Sequence, residues 1–242
     1  MPAGKPTILA TSMGFNRART PWRPGPVFTY AFELARAANS PRLCFISTGT
    51  GDRQASIDSF YAAFDGTEVR TSHLSLFEEP NVPDVAGHLR SQDVIWVDRG
   101  SVINLLAVWR AHELPDILRD CWQAGIVIGG ESAGSLCWHS CTMADSYGGI
   151  RGIADGLGFI PYANAVHYNE DQRRAAFHQL IAPDTVGYAT DTGAGLHYEN
   201  DVLVTAIADR SHAGAYRVTL SAERKVLEEP MTVLRLKRSK GG

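Results

Sequence analysis

An α/β fold with a mostly parallel sheet, helices on both faces and additional C-terminal strands is predicted by three features of this 242-residue sequence. Short apolar runs alternate with stretches of helical periodicity up to about residue 140. Several of those runs are nearly continuous, as strands buried on both faces tend to be. From 185 onward the pattern changes to short strand signals separated by turn residues.

The elements follow in order. "PTILATSM" predicts a first strand over Thr7 to Ser12, and "VFTYAFELARAANS" a helix from Val27 to Ala38. "PRLCFISTGT" predicts a buried strand, "SIDSFYAAFDG" a helix stopped at Gly66, and "TEVRTSHLSLF" a strand. "DVIWVDRG" is another buried strand. "VINLLAVWRAHELPDILRDCWQAG" holds one or two helices, broken near Pro115 and ended by Gly125. "IVIGG" is a strand leading into "ESAGSLCWHS", whose apolar continuation reads as helix and would put Cys137 and Cys141 on one face. "YGGIRGIADGLGFIPYANAV" reads as loop with a short strand, and "NEDQRRAAFHQLI" as a helix from about Asn169. "TVGYAT", "AGLHYEN", "DVLVTAIA", "GAYRVTL" and "MTVLRL" supply the final strands. No repeat, low-complexity run or linker interrupts the chain, so 1–242 is read as a single domain.

Composition narrows the class. A hydrophobic fraction of 44%, a charged fraction of 20% and a formal charge of −3 fit a soluble globular protein, with no global pull toward nucleic acid or an acidic membrane. The basic cluster Arg235, Lys237, Arg238 and Lys240 reads as a frayed, solvated tail. Four cysteines are too few for a disulfide scaffold and match no structural zinc spacing. They are expected to be reduced thiols in or near the core. The N-terminal apolar run is too short for a signal segment and nothing approaches a membrane span, so the expected compartment is the cytoplasm.

Gly130-Glu131-Ser132-Ala133-Gly134, after an apolar strand, fits the turn that lifts a nucleophile above a sheet. Such a turn needs small neighbours, and the helix that follows directs its free N–H groups at the same space, with Ala133 N–H as an oxyanion donor. A plain tight turn would need the same small residues. A serine nucleophile requires a base, and His167, between an irregular segment and a helix, is the candidate among eight histidines; a solvated or packed side chain is the alternative. Carboxylates after it that could orient the imidazole are Glu170, Asp171, Asp191, Glu199 and Asp201. Asp191, in "YATDTGAG", sits at a strand end, where it could equally serve an Asx turn. In "VDRGS" the N–H of Gly100 or Ser101 is the second oxyanion candidate.

These motifs together resemble the peptidase E family, aspartyl dipeptidases and relatives that include cyanophycinase. "GESAGSLCWHSCTMADSYG" is similar to its elbow, "GLGFIPYANAVHYNEDQRRAAFHQLI" to its histidine block, "GYATDTGAGLHYEN" to its acidic turn and "IWVDRGSVINLL" to its oxyanion strand and helix. The resemblance implies a flavodoxin-like, class I glutamine amidotransferase-like fold. It also implies Ser132 as nucleophile, His167 as base, and Gly100 and Ala133 as oxyanion donors. Four departures stand out. Asp98-Arg99-Gly100-Ser101 replaces the usual Gly-Gly-Gly-Asn, Ser135 replaces alanine, Val166 precedes the histidine, and Thr192 occupies the position where relatives carry the acid. Asp191 is taken as the triad acid, with Glu170 and Asp201 behind it.

The implied chemistry is acyl transfer on short peptides, including dipeptides with an N-terminal aspartate, without a cofactor or metal. Arg99, Arg17 and Arg19 are candidates to bind a substrate carboxylate, and Glu131 to bind a free α-amino group. A small peptide is the expected partner and a homodimer a possible assembly, with no nucleic acid or membrane. Two other readings stay open: an esterase or amidase on a non-peptide substrate, and a binding protein that lost the triad acid.

Overall fold

The computed structural model describes residues 3–37 and 39–237. The N-terminal half runs β1 (Thr7–Thr11), β2 (Phe15–Asn16), β3 (Arg23–Pro24), α1 (Pro26–Leu34), β4 (Arg42–Ile46), α2 (Gln54–Phe64), β5 (Arg70–Leu74), α3 (Val85–Arg90) and β6 (Val94–Val97). It continues through α4 (Val102–Ala111), α5 (Leu114–Gln123), β7 (Val127–Glu131) and α6 (Ala133–Leu136). The remainder holds β8 (His139–Ala144), β9 (Arg151–Ile153), β10 (Ile160–Val166), α7 (Asp171–Leu180), β11 (Gly187–Thr190) and β12 (Ala194–Glu199). Last come β13 (Val202–Ala208), β14 (Ala215–Leu220), β15 (Val226–Pro230) and β16 (Val233–Arg235).

The main sheet has eight strands in the order β16-β13-β12-β1-β7-β6-β4-β5. Its centre, β1-β7-β6-β4-β5, is parallel throughout, and β12 joins β1 antiparallel. The strand alternation sorts side chains to two layers. Leu9, Phe45 and Trp96 pack with α1 and α2 residues such as Phe28 and Phe60. Ile8, Cys44 and Ile95 pack with Leu105, Trp109 and Leu118 of α4 and α5. The sheet is thus buried on both faces, which is why its strands read as continuous apolar runs.

Helix ends follow local chemistry. Pro26 opens α1 behind Gly25, where a missing N–H costs nothing. The Ser101 hydroxyl accepts from Asn104 N–H at 3.2 Å and caps α4. Glu113 takes a positive φ of 54° between α4 and α5, so the break falls just before Pro115. Helix α1 ends at Leu34, short of the expected Ala38, which lies outside the described residues.

Three expectations are corrected. The run after Ser132 is a single helical turn followed by β8, so Cys137 ends the turn and Cys141 lies on a strand rather than on a shared helix face. A short apolar run carries no periodicity that separates helix from strand. The segment expected to be mostly loop instead helps build a second, six-stranded sheet, β15-β14-β11-β10-β8-β9. Arg235 is not in a frayed tail: it sits on β16 and donates to the carbonyls of Arg210 and Ala213 at 2.7 and 2.6 Å. Arg238 and Lys240 lie outside the described residues. All four cysteines are free thiols, and no helix among the described residues is long and apolar enough to cross a membrane.

Candidate active site

The elbow is made by backbone crowding. A Cβ on Gly130 would lie 2.4 Å from the Val97 carbonyl and 2.6 Å from that of Gly134, so only glycine lets β7 and α6 close against β6. Ser132 is held between them at φ 57°, ψ −107°, a strained conformation for a residue with a side chain. Its N–H donates to Thr11 O at 2.9 Å, and its carbonyl accepts from Ser135 and Leu136 N–H. The hydroxyl takes no part in holding the turn, and the residue is half-buried rather than enclosed.

Candidate oxyanion donors lie near the ends of β6 and β7. Ala133 is the first residue of α6 and has no acceptor within that turn. Of the two candidates after β6, Ser101 N–H is used by Gly49 O at 2.8 Å, which leaves Gly100. Gly100 has φ 125°, and a Cβ there would lie 2.2 Å from Gly49 O; the loop shape requires glycine. Arg99 beside it is exposed and faces the cavity.

The second sheet brings the imidazole. His167 follows β10 directly, with a positive φ of 54°. Its N–H donates to the Ser12 hydroxyl at 3.2 Å, which pins it to the end of β1, the strand beside the elbow strand. Its Nδ1 lies 2.8 Å from Thr192 Oγ1. Thr192 belongs to the turn that carries the chain from β11 in the second sheet to β12 in the main sheet, and its N–H donates to Asn169 Oδ1 at 2.8 Å.

The carboxylate expected to orient the ring is not the group that meets it. The Asp191 carboxylate accepts from Gly214 N–H at 2.9 Å and the Tyr216 hydroxyl at 3.4 Å, and so ties the turn to β14. It is the adjacent Thr192 that meets the histidine. Glu170 is exposed and pairs with Arg173 at 3.0 Å, while Asp201 lies in the turn between β12 and β13, at the opposite end of β1.

Glu131 and Arg17 both line the cavity described below, but as paired rather than free side chains. Arg17 Nε donates to Glu131 Oε1 at 3.3 Å, its Nη2 donates to Glu131 Oε2 at 3.2 Å, and the same Nη2 donates to Asp98 Oδ1. Phe15 N–H also donates to Glu131 Oε2. The Arg17 side chain is only 11% exposed and that of Asp98 is fully buried. Nothing in a single sequence separates such an arginine from a surface one. Arg19 is exposed and is not among the residues lining the cavity.

A cavity of about 800 Å³ lies beside these groups, lined among others by Arg99, Glu131, His167, Thr192, Arg23 and Arg210. That volume is within the usual range for small-molecule sites. Among the described residues no cluster of His, Cys, Asp or Glu is arranged to hold a metal ion.

Electrostatics set two testable behaviours. Burial lowers the His167 pKa from its ordinary value, and the Arg173 cation lowers it further against the pull of Glu170, Glu131 and Asp145. A base must be neutral to work, so with His167 in that role the acid limb of kcat/KM is expected below about 6.5. Arg173→Gln should move that limb upward; an unmoved limb would rule out the assignment.

Burial, opposed by Arg17 and reinforced by Glu131, pushes the Asp98 carboxyl up to about 6. The folded state then binds the proton more tightly than the unfolded chain, where about 3.9 is usual. Stability from this group is present below about pH 4 and lost as pH rises to about 6. Urea midpoints of Asp98→Asn and wild type should therefore diverge in favour of the variant across that window and run parallel above it.

Comparison with known proteins gives the family. Residues 26–205 match the model of peptidase family S51. The chain belongs to that family. It is 42% identical over 196 residues to an uncharacterized peptidase, YgaJ, of Bacillus subtilis (strain 168), covering 80% of this chain and 84% of the relative. Its fold is similar to that of a peptidase from an acI-B1 Actinobacterium, at TM-score 0.68 and 16% identity over 94% of both chains. It is also similar to a putative peptidase E protein from Listeria monocytogenes EGD-e, at TM-score 0.58 and 14% identity over 82% of this chain and 96% of that one. The S51 protein described here is thus a serine-type peptidase with the mixed α/β fold of peptidase E structures.

Proposed function

We propose that this S51 peptidase hydrolyses short peptides, dipeptides with an N-terminal aspartate among them, through Ser132 and His167, with Thr192 where the triad acid would stand. One observation carries the reading: the imidazole at the end of β10 is held through Nδ1 by a residue of the turn joining the two sheets, and it and the strained serine elbow are both tied to the end of β1, through Ser12 and Thr11. In the tautomer the reaction needs, Nδ1–H donates to Thr192 Oγ1 and Nε2 accepts the Ser132 proton. The hydroxyl attacks the peptide carbonyl, and the developing oxyanion is held by Gly100 and Ala133 N–H. His167 then protonates the leaving amine, and water repeats the sequence on the acyl-enzyme. A hydroxyl orients the ring without adding charge, so it supports the tautomer while giving the imidazolium less stabilisation than a carboxylate would.

Arg99, exposed at the cavity and bound to no other side chain among the described residues, is the group suited to a substrate carboxylate. Arg99→Ala is expected to lower kcat/KM for Asp-X dipeptides by about 10- to 100-fold relative to X-X dipeptides, the scale of one charged hydrogen-bonding partner. Equal losses on both would remove Arg99 from recognition. The absence of a carboxylate at Nδ1 favours one competing reading, a binding protein of the same fold. Fluorophosphonate labelling separates the two. Labelling of the wild type that is lost in Ser132→Ala supports the peptidase, and folded wild type that neither labels nor cleaves any dipeptide supports the binding protein.

A further inference from the structure

We infer that Arg17 is a positioning residue for this site: by bridging Asp98 and Glu131 it fixes the separation of the two loops that present the oxyanion donors. The inference rests on the proposed acyl-transfer function. Val97 and Gly130 are register partners on the neighbouring strands β6 and β7, so Asp98 and Glu131, the next residues of each, emerge side by side. Two carboxylates placed there repel one another and push the strand ends apart. Two residues beyond each lie Gly100 and Ala133.

Arg17 comes from a different part of the chain, the connection between β2 and β3, and enters from the side. Its planar guanidinium reaches both oxygens of Glu131 and Oδ1 of Asp98 at once, which a lysine ammonium cannot do with the same geometry. Trp22 covers its other face, with Cζ 4.2 Å from the ring centroid. The side chains of all three charged residues are at least 88% buried, so the pairing is shielded from salt and solvent. Such a bridge acts on catalysis by holding the backbone of the two loops rather than by contacting the reacting atoms. It sets how well the two N–H groups converge on a tetrahedral oxyanion.

The test is Arg17→Ala and Arg17→Lys on the full chain, assayed with short peptides that the wild type cleaves. Arg17→Ala is expected to lower kcat by about 100-fold, the scale of losing one oxyanion donor, with KM within about threefold. Binding of a peptide boronate, which forms a tetrahedral adduct with the serine, should weaken in parallel with kcat. Added guanidinium ion should restore part of the rate, and Arg17→Lys should fall between wild type and alanine. Unchanged kcat in folded Arg17→Ala, or a loss confined to KM, would overturn the inference. Should Arg17→Ala not fold, Arg17→Lys keeps the charge but not the three-point geometry, and wild-type kcat in that folded variant would overturn the inference. A wild type that neither labels with fluorophosphonate nor cleaves peptides overturns the acyl-transfer reading itself. Labelled wild type with unimpaired Arg17→Ala overturns only the role of Arg17.

Discussion

Ser132→Ala is expected to reduce kcat/KM for short peptides by roughly 10⁴- to 10⁶-fold while leaving the protein folded, the scale of nucleophile removal in a serine hydrolase. The reason lies in the turn. The Ser132 hydroxyl contributes no bond to the elbow, whose closure depends on backbone bonds to Thr11, Ser135 and Leu136 and on the absence of side chains at Gly130 and Gly134. Removing the oxygen removes the proposed attacking atom and little else. A second substitution separates chemistry from architecture. At φ 57° a side chain is strained, so Ser132→Gly should be equally inactive and yet up to about 1 kcal/mol more stable. A loss of stability in Ser132→Gly would mean that the serine side chain holds the turn, and that position 132 is structural. Midpoints of urea unfolding beside peptide kinetics decide between the two.

Thr192→Val should lower kcat by about 10- to 100-fold. Valine keeps the shape but leaves Nδ1 of a half-buried imidazole with no partner, a penalty of roughly 1–3 kcal/mol that also frees the ring to adopt the wrong tautomer. Thr192→Asp tests the same contact from the other side. A carboxylate beside Nδ1 favours the charged ring, so the His167 pKa rises and the acid limb of kcat/KM moves upward. The imidazolium formed in the transition state is also better stabilised, so kcat should rise at high pH. If neither substitution alters the pH profile or kcat, Thr192 does not act on the catalytic base, and the orienting group must be sought elsewhere.

The parallel sheet was legible because burial on both faces leaves continuous apolar runs such as Leu43–Ile46 and Val94–Val97. The elbow was legible because backbone crowding at Val97 admits only glycine at 130 and 134, and those two residues bracket the serine. The sequence singles out His167 by its place between an irregular segment and a helix; the structure puts it at the end of β10, in contact with Thr192. The second sheet was not legible. Two of its strands, β11 and β14, are signalled, but between them the chain lays β12 and β13 in the main sheet, and β8 lies in an apolar run whose period does not tell strand from helix. The turn at 191–193 shows the same limit at the scale of one residue. Asp191 and Thr192 are adjacent, and either could have faced the imidazole. Direction was decided by β14, whose approach offers Gly214 N–H and the Tyr216 hydroxyl to the carboxylate.

By itself the amino-acid order determined that a serine would be raised at the end of a buried parallel strand, because local crowding and apolar periodicity are properties of neighbours along the chain. Only the tertiary structure decided which group holds the histidine and that Arg17 is buried between two acids. Those choices depend on which distant strand ends meet, and charge or hydroxyl chemistry in a sequence carries no direction until the opposing surface is in place.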